Sequence, residues 1–439
     1  MIKILWIDDE IEYFKSHILF LNKKGYEVET CNSGPEAINI IKKNSHDVIL
    51  IDQNMPGLSG TESIKLINKE YSSIPIIMIT QSSEDDTIED AIGLKVKDYL
   101  IKPLNPNQIL LSLTKIFRNK EIISNKTISN YQNSFQDIND KINFCDTIEE
   151  WMEVYKVLSY WELELSEVDE KEVYDILFSQ KKQANKLYAD FIEKNYEKLL
   201  SNKEFTSSIN LFKNRVIPEI SSNSPILFVL IDNLRYDQWK IIEPLVSEGY
   251  NVELDILYSS ILPTTTQYAR NSIFSGLSPI NIKKIHPNYW VSELDIDGKN
   301  KFENELLNEQ FSRLGKKIKY KYHKILNPKD GESFYNRLVN EKENDLTVLV
   351  YNFVDIISHA KKDVKFIKEL ASSDKAYRDI TKSWYKNSKL HEIIKKAKEL
   401  KFKIIITSDH GTINVDKAAL VSGDKEISNN LRYKTSKQI

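Results

Sequence analysis

Short apolar runs alternate with amphipathic stretches over the first 119 residues. The runs Ile2–Ile7, Tyr26–Thr30, Asp47–Ile51, Ile74–Ile79 and Asp98–Ile101 read as strands. Between them, Pro35–Lys43 (Ala37, Ile38, Ile40 and Ile41 apolar) and Thr61–Tyr71 carry helical spacing. Strands each followed by a helix predict a doubly wound parallel sheet, with its ligand site at the carboxyl ends of the strands. From about Asn119 the pattern loosens into Asn-, Ser- and Lys-rich sequence as far as Asn139. Helical periodicity then dominates, as in Trp151, Met152, Tyr155 and Leu158, and later Leu187, Tyr188, Phe191 and Tyr196. Residues 120–220 therefore predict a helical bundle acting as a spacer. Ser221-Ser222-Asn223-Ser224-Pro225 breaks that pattern before the strongly apolar run Ile226–Ile231. Similar runs at Tyr250–Leu257, Leu346–Phe353 and Phe402–Thr407 predict a second α/β domain over 221–439. Residues 281–345, rich in Lys and Asn, read as an insertion in it.

Length and composition agree with such an α/β multidomain chain. At roughly 150 residues per domain, 439 residues suggest about three. With 41% apolar and 28% charged residues, the chain can bury real cores, which excludes wholesale disorder. A formal net charge of -3 argues against bulk attraction to DNA or anionic membrane. Cys31 and Cys145 fit no metal or redox spacing and read as ordinary thiols. Asp8, Asp9 and Glu10 arrive too early for a signal peptide, and no run of about 18 apolar residues occurs. A soluble, cytoplasmic protein without a membrane segment is the expectation.

The candidate chemistry lies at the strand ends. In the first domain these carry Asp8-Asp9, Asp52 followed by Gln53-Asn54, Thr80, and Tyr99 leading to Lys102-Pro103. Carboxylates converging on one edge repel unless a hard divalent cation sits among them, and oxygen-only ligation suits Mg²⁺. Lys102 and Thr80 could then pair with the oxygens of an incoming phosphoryl group. These residues, in this order, resemble the response-regulator receiver domain. The resemblance implies that Asp52 accepts the phosphoryl group from a cognate sensor histidine kinase. It also implies that Asp8, Asp9, Asp52 and the Asn54 carbonyl hold Mg²⁺, and that Thr80 and Tyr99 form the switch pair beside Lys102. A cis Lys102–Pro103 bond and homodimerisation on phosphorylation are further implications. No helix-turn-helix follows the receiver, so output through a DNA-binding domain is not expected.

The far domain carries Asp232, the stretch Leu262-Pro263-Thr264-Thr265-Thr266 leading to Arg270, Asp355 with His359, and Asp409-His410-Gly411. Asp355 and His359 share a face if that segment is helical. Carboxylate and imidazole without cysteine suit catalytic Zn²⁺. Two such ions roughly 4 Å apart can clamp an in-line phosphoryl displacement, and metal coordination activates a threonine hydroxyl. If a helix begins at Thr266, its N-terminus favours a phosphate, and Arg270 one turn along could reach a phosphate oxygen.

These four segments resemble the PglZ domain of the alkaline phosphatase superfamily, a two-zinc phosphoesterase fold. The resemblance implies one zinc held by Asp232, Asp409, His410 and the nucleophile, and another held by Asp355 and His359. It favours Thr266 as nucleophile, with Thr265 second. The superfamily's second metal takes a further histidine beyond the Asp-His pair, and none follows His410 here. That reads as a C-terminally incomplete domain or a weak second site, with His286 or His323 as substitutes. The 262–271 segment lacks the Cys/Ser-x-Pro-x-Arg context of sulfatases. Arg235 and Asp237 read equally as a salt-bridge pair or as substrate contacts.

Receiver, helical spacer and PglZ-like domain together resemble the response regulators of type IX secretion. That implies a phosphorylation-controlled zinc phosphodiesterase acting on nucleotides or oligonucleotides. The competing expectation is a non-enzymatic scaffold, a degenerate phosphatase domain that binds a sigma factor or a secretion-motor component.

Overall fold

The computed structural model describes residues 2–81, 96–117, 119–168, 171–202, 205–220, 224–291, 298–352 and 373–413, with 354, 369, 415, 417–421 and 433–435. The chain divides into two compact units, Met1–Gln132 and Asn133–Ile439.

The first unit is built on five parallel strands: β1 (Ile2–Ile7), β2 (Tyr26–Cys31), β3 (Val48–Asp52), β4 (Ile76–Thr80) and β5 (Asp98–Ile101). Their order is β2-β1-β3-β4-β5. β3 and β4 are apolar almost throughout because helices cover both sheet faces. Leu5, Ile7, Ile49 and Ile51 pack with Ala37 of α2 (Gly34–Ile41) and Ile64 of α3 (Gly60–Glu70). Ile4, Trp6, Leu50 and Ile79 pack on the other face, with Leu21 of α1 (Lys15–Lys23) and Leu113 of α4 (Pro106–Phe117). The chain changes direction across the sheet between β1 and β3, so the crevice opens where Asp8 and Asp52 lie. Gly60 starts α3 directly beneath Asp52: a Cβ there would stand 2.3 Å from the Asp52 carbonyl oxygen.

The division between units falls within α5 (Asn119–Phe144). In the second unit follow α6 (Ile148–Ser166), entered through a Thr147/Glu150 capping box, and α7 (Lys171–Ser201). Its sheet has the order β7-β8-β6-β9, all parallel, from β6 (Ile226–Ile231), β7 (Tyr320–Ile325), β8 (Leu346–Tyr351) and β9 (Lys403–Thr407). Leu227, Val229 and Ile231 face α8 (Tyr236–Val246), α12 (Pro328–Arg337), α13 (Asp374–Asn387) and α14 (Lys389–Glu399). Ile226, Phe228 and Leu230 face α9 (Thr266–Ser275), α10 (Pro279–Ile285) and α11 (Glu303–Arg313). Gly276 ends α9 at φ 63°, where a Cβ would meet Gln310 Nε2 at 2.1 Å.

Two expectations change. Residues 281–345 are no insertion: β7 pairs with β8 along its length, and α11 buries Leu306, Leu307 and Phe311 in the core. Tyr250–Leu257 forms no strand, and Val252, Leu254 and Ile256 are exposed. Its acids pair with side chains instead, Glu253 with Lys403 at 2.7 Å and Asp255 with Lys240 at 3.2 Å. The helical segment between the two sheets is present as expected, and from Asn133 onward it packs in the same compact unit as the second sheet, with Tyr155 against Tyr236 and Glu162 paired to Arg378.

Candidate functional site

In the first unit Asp8 and Asp52 are buried side by side, bridged by Lys102, whose Nζ lies 3.1 Å from Asp8 and 2.8 Å from Asp52. The Asn54 amide donates to Asp52 at 3.0 Å, and the Glu10 amide donates to Asp8 at 2.9 Å. Burial pushes the Asp52 carboxyl up, and neighbouring Asp8 adds to this against the pull of Lys102. Burial works against the Lys102 ammonium, but its two carboxylate partners outweigh it and hold the group above the usual lysine range. Two carboxylates against one ammonium leave a net negative, all-oxygen site that fits a hard cation such as Mg²⁺. Asp9 and Asn54 are exposed, Thr80 is buried at the end of β4, and Tyr99 is 43% exposed on β5. Lys102–Pro103 is cis.

The second constellation sits where β6 and β9 end. Among the described residues, Asp232, Asp409 and His410 form the one group of three ligand-type side chains with donor atoms all within 4.8 Å of one another. All three are buried. Thr266, the first residue of α9, places Oγ1 3.3 Å from Asp232 Oδ1 and 3.1 Å from His410 Nε2. His410 Nδ1 lies 3.0 Å from the Gly411 carbonyl, which can only accept, so the ring donates there and turns Nε2 toward the Thr266 hydroxyl. A carboxylate oxygen, an imidazole nitrogen and a hydroxyl oxygen thus converge. The two buried carboxylates call for counter-charge, and carboxylate with imidazole fits zinc.

Arg270 supplies part of the missing charge. Fully buried, it pairs with Asp232, donates to Asp409 at 3.0 Å and approaches Glu303 at 3.4 Å. Its donors are thus directed to carboxylates that hold the ligand loops, instead of to a phosphate oxygen as its spacing suggested. Burial alone would raise Asp409, but Arg270 and His410 outweigh it and hold the carboxyl below its ordinary range. The two ligand loops are also tied through Ser408, which accepts from the Leu234 amide at 2.9 Å and donates to the His410 carbonyl at 2.8 Å. Asn233 takes a left-handed φ of 61° that lets its amide donate to Asp409 Oδ1 at 3.1 Å.

Thr265 is the N-terminal cap residue of α9, and its buried hydroxyl makes no hydrogen bond to Asp232 or His410. Asp355 and His359 lie outside the described residues. Neither histidine named as a substitute joins the group: His286 stacks on Tyr289, and His323 pairs with Glu341 at 3.2 Å. Around Arg270 the structure adds residues the sequence did not single out. Glu303 also meets Lys324 at 3.2 Å and accepts from Tyr322, while Asn300 donates to the Thr266 carbonyl at 3.1 Å. Their signal is tertiary: β7 and the turn before α11 bring them together, and no spacing in the chain marks them.

Arg235 and Asp237 resolve as a salt-bridge pair. Arg235 donates to both Asp237 oxygens, at 2.9 and 2.6 Å, and to Asp374 at 2.8 Å. Burial pushes Asp237 up, but Arg235 and Arg378 outweigh it and hold the carboxyl below the ordinary range; Asp374 is lowered likewise, chiefly by Arg235 against burial. A folded-state pKa below the unfolded one means the unfolded chain binds more protons. This stabilisation is present above the unfolded pKa of about 4 and is lost as pH falls through the folded value. Urea midpoints of the second unit should therefore drop below about pH 4, and D237N should flatten that loss.

A receiver site at a parallel-sheet switch point and a threonine–carboxylate–histidine cluster on a second parallel sheet define a response regulator with a phosphatase-like domain. The comparisons agree. Residues 211–439 match the BREX system PglZ alkaline phosphatase-like domain, and the chain belongs to that family. Residues 4–114 match the response regulator receiver domain, and 121–200 the PorX response regulator linker domain. Among curated proteins, the transcriptional regulatory protein CpxR homolog of Haemophilus influenzae is 36% identical over 134 residues, covering 30% of this chain and 57% of that protein. The transcriptional regulatory protein YvrH of Bacillus subtilis is 36% identical over 129 residues, covering 28% and 54%. The chain spans about half the length of the curated relatives it matches. Among solved structures, the chemotaxis protein CheY4 of Vibrio cholerae is 33% identical, covering 27% of this chain and 99% of that one at a TM-score of 0.26. A receiver implies a cognate sensor kinase as partner. No described helix is long and apolar enough to cross a membrane.

Proposed function

We propose that this chain is a PorX-like response regulator of type IX secretion in which phosphorylation of Asp52 controls a zinc-dependent phosphodiesterase acting on nucleotides or oligonucleotides. One observation carries the catalytic half: Thr266 Oγ1 stands within hydrogen-bond distance of both His410 and Asp232 at the start of a ten-residue helix. In this reading the Thr266 oxygen attacks phosphorus. The Oγ1–P bond forms as the bond to the leaving alcohol breaks, leaving the threonine joined to a phosphoryl group that keeps its second ester; water then breaks the Oγ1–P bond, restores the threonine hydroxyl and releases the phosphomonoester. Asp232 and His410 aim the hydroxyl, the amides opening α9 face the phosphate charge, and Arg270 keeps Asp232 and Asp409 together. Zinc held by Asp232, Asp409 and His410, with Asp355 and His359 completing a second site, would supply the Lewis acid that lowers the hydroxyl pKa and shields phosphoryl oxygens. In the receiver, Lys102 pairs with the phosphoryl oxygens and Mg²⁺ would screen them.

The test compares hydrolysis of bis-p-nitrophenyl phosphate with that of the monoester, with and without chelator, before and after treatment with acetyl phosphate. The expected result is chelator-sensitive diester hydrolysis that changes on phosphorylation together with a shift to a dimer in sedimentation. Faster cleavage of the monoester would make the domain a phosphomonoesterase. Metal binding without turnover of either ester would favour the scaffold that binds a sigma factor or secretion component.

A further inference from the structure

The helices preceding the second sheet reach both loops that build the threonine–carboxylate–histidine cluster. From α6, Glu162 is 4% exposed and accepts from Arg378 at 3.1 Å. Arg378 donates in turn to Asp237 at 3.2 Å, and Asp237 is held by Arg235. Arg235 lies three residues past Asp232 and caps α8. Lys181 of α7 closes the group by donating to Glu162. Independently, the phenol oxygen of Tyr196 on α7 accepts from the Leu262 amide at 2.7 Å, at the head of the loop that delivers Thr266. Just after α7, Ser208 accepts from the neighbouring Ile261 amide at 3.0 Å. One buried ionic chain therefore ends on the Asp232 loop, and two hydrogen bonds, one of them from α7, end on the Thr266 loop. The 3.3 Å separation of Thr266 and Asp232 depends on both loops.

We infer that α6 and α7 are part of the phosphoester site, with Glu162 and Tyr196 as positioning residues that set Thr266 against Asp232. This rests on the phosphoesterase reading above and deepens it. The segment that follows the receiver in the chain grips both halves of the reaction centre. A change in how these helices pack then alters turnover without touching a ligand. Such coupling needs no more than two fixed contacts, because a misplacement of about 1 Å in a reacting group can cost on the order of 10²-fold in rate.

The experiment uses the full chain carrying E162Q or Y196F, each close to isosteric. Three readouts are taken: diester kcat and KM, zinc content, and peptide-resolved hydrogen exchange. In each variant kcat should fall about tenfold, with KM and zinc content unchanged. Amide exchange should quicken over 232–238 in E162Q and over 259–266 in Y196F. Variants with wild-type exchange in those peptides overturn the inference, whatever happens to turnover. Quickened exchange with unchanged kcat overturns the positioning role as well. A wild-type chain inactive on every phosphoester, whose variants still show the two local exchange changes, sinks the enzymatic reading but upholds the grip on the loops. If E162Q does not fold, Y196F alone decides.

Discussion

Thr266→Val should lower diester turnover by on the order of 10⁴-fold while leaving zinc content near that of the wild type. Valine keeps the branched shape at the first position of α9, so the helix and its packing survive. What disappears is the oxygen that stands 3.1 Å from His410 and 3.3 Å from Asp232. The two carboxylates and the imidazole still hold the ion, because none of them moves with the methyl. Thr265→Val supplies the contrast. Its hydroxyl makes no capping hydrogen bond and none to Asp232 or His410, so its loss should change turnover by less than tenfold. Stopped assays with zinc measured on the same samples separate the two threonines. The reverse pattern would move the nucleophile to Thr265.

Arg270→Met carries the largest expected cost in stability. The guanidinium is fully buried and neutralises Asp232 and Asp409. Breaking a buried ionic cluster by removing one partner leaves charge uncompensated and costs about 3–5 kcal/mol. In the metal-free protein the unfolding free energy from urea titration should fall by that amount, with a correspondingly lower midpoint. Zinc should restore much of the loss, since an ion replaces the missing positive charge. Arg270→Lys should rescue little, because an ammonium cannot span carboxylates on two loops as a planar fork does. Equal midpoints for wild type and Arg270→Met in chelator would show that Arg270 is not the counter-charge of this site.

The difference between what the chain spells out and what only the fold supplies is a difference between local and long-range physics. Four of the five receiver strands lead into a functional side chain, so Asp8, Asp52, Thr80 and Lys102 were legible. Asp232 and Asp409-His410 were legible for the same reason, since each follows an apolar strand. β7 was not, because Tyr320–Ile325 alternates Tyr and Ile with Lys and His at the sheet edge and buries little but Ile325. Tyr250–Leu257 misled in the other direction: alternation satisfies a strand's pattern but cannot supply a neighbouring backbone to pair with. Arg270 was legible in its helix but its carboxylate partners were not, because Glu303 and Asp409 meet it only after the sheet has formed. The ionic chain from Glu162 to Arg235 likewise joins residues far apart in the chain, none marked by motif.

The most direct test of the central claim is the metal content of His410→Ala beside that of the wild type, after exhaustive dialysis and at matched activity measurements. Wild-type protein should retain about two zinc ions per chain, and His410→Ala should lose at least one together with its diester hydrolysis. A wild-type chain that hydrolyses diesters at full rate with no bound metal, or a His410→Ala variant that keeps both ions, would contradict it.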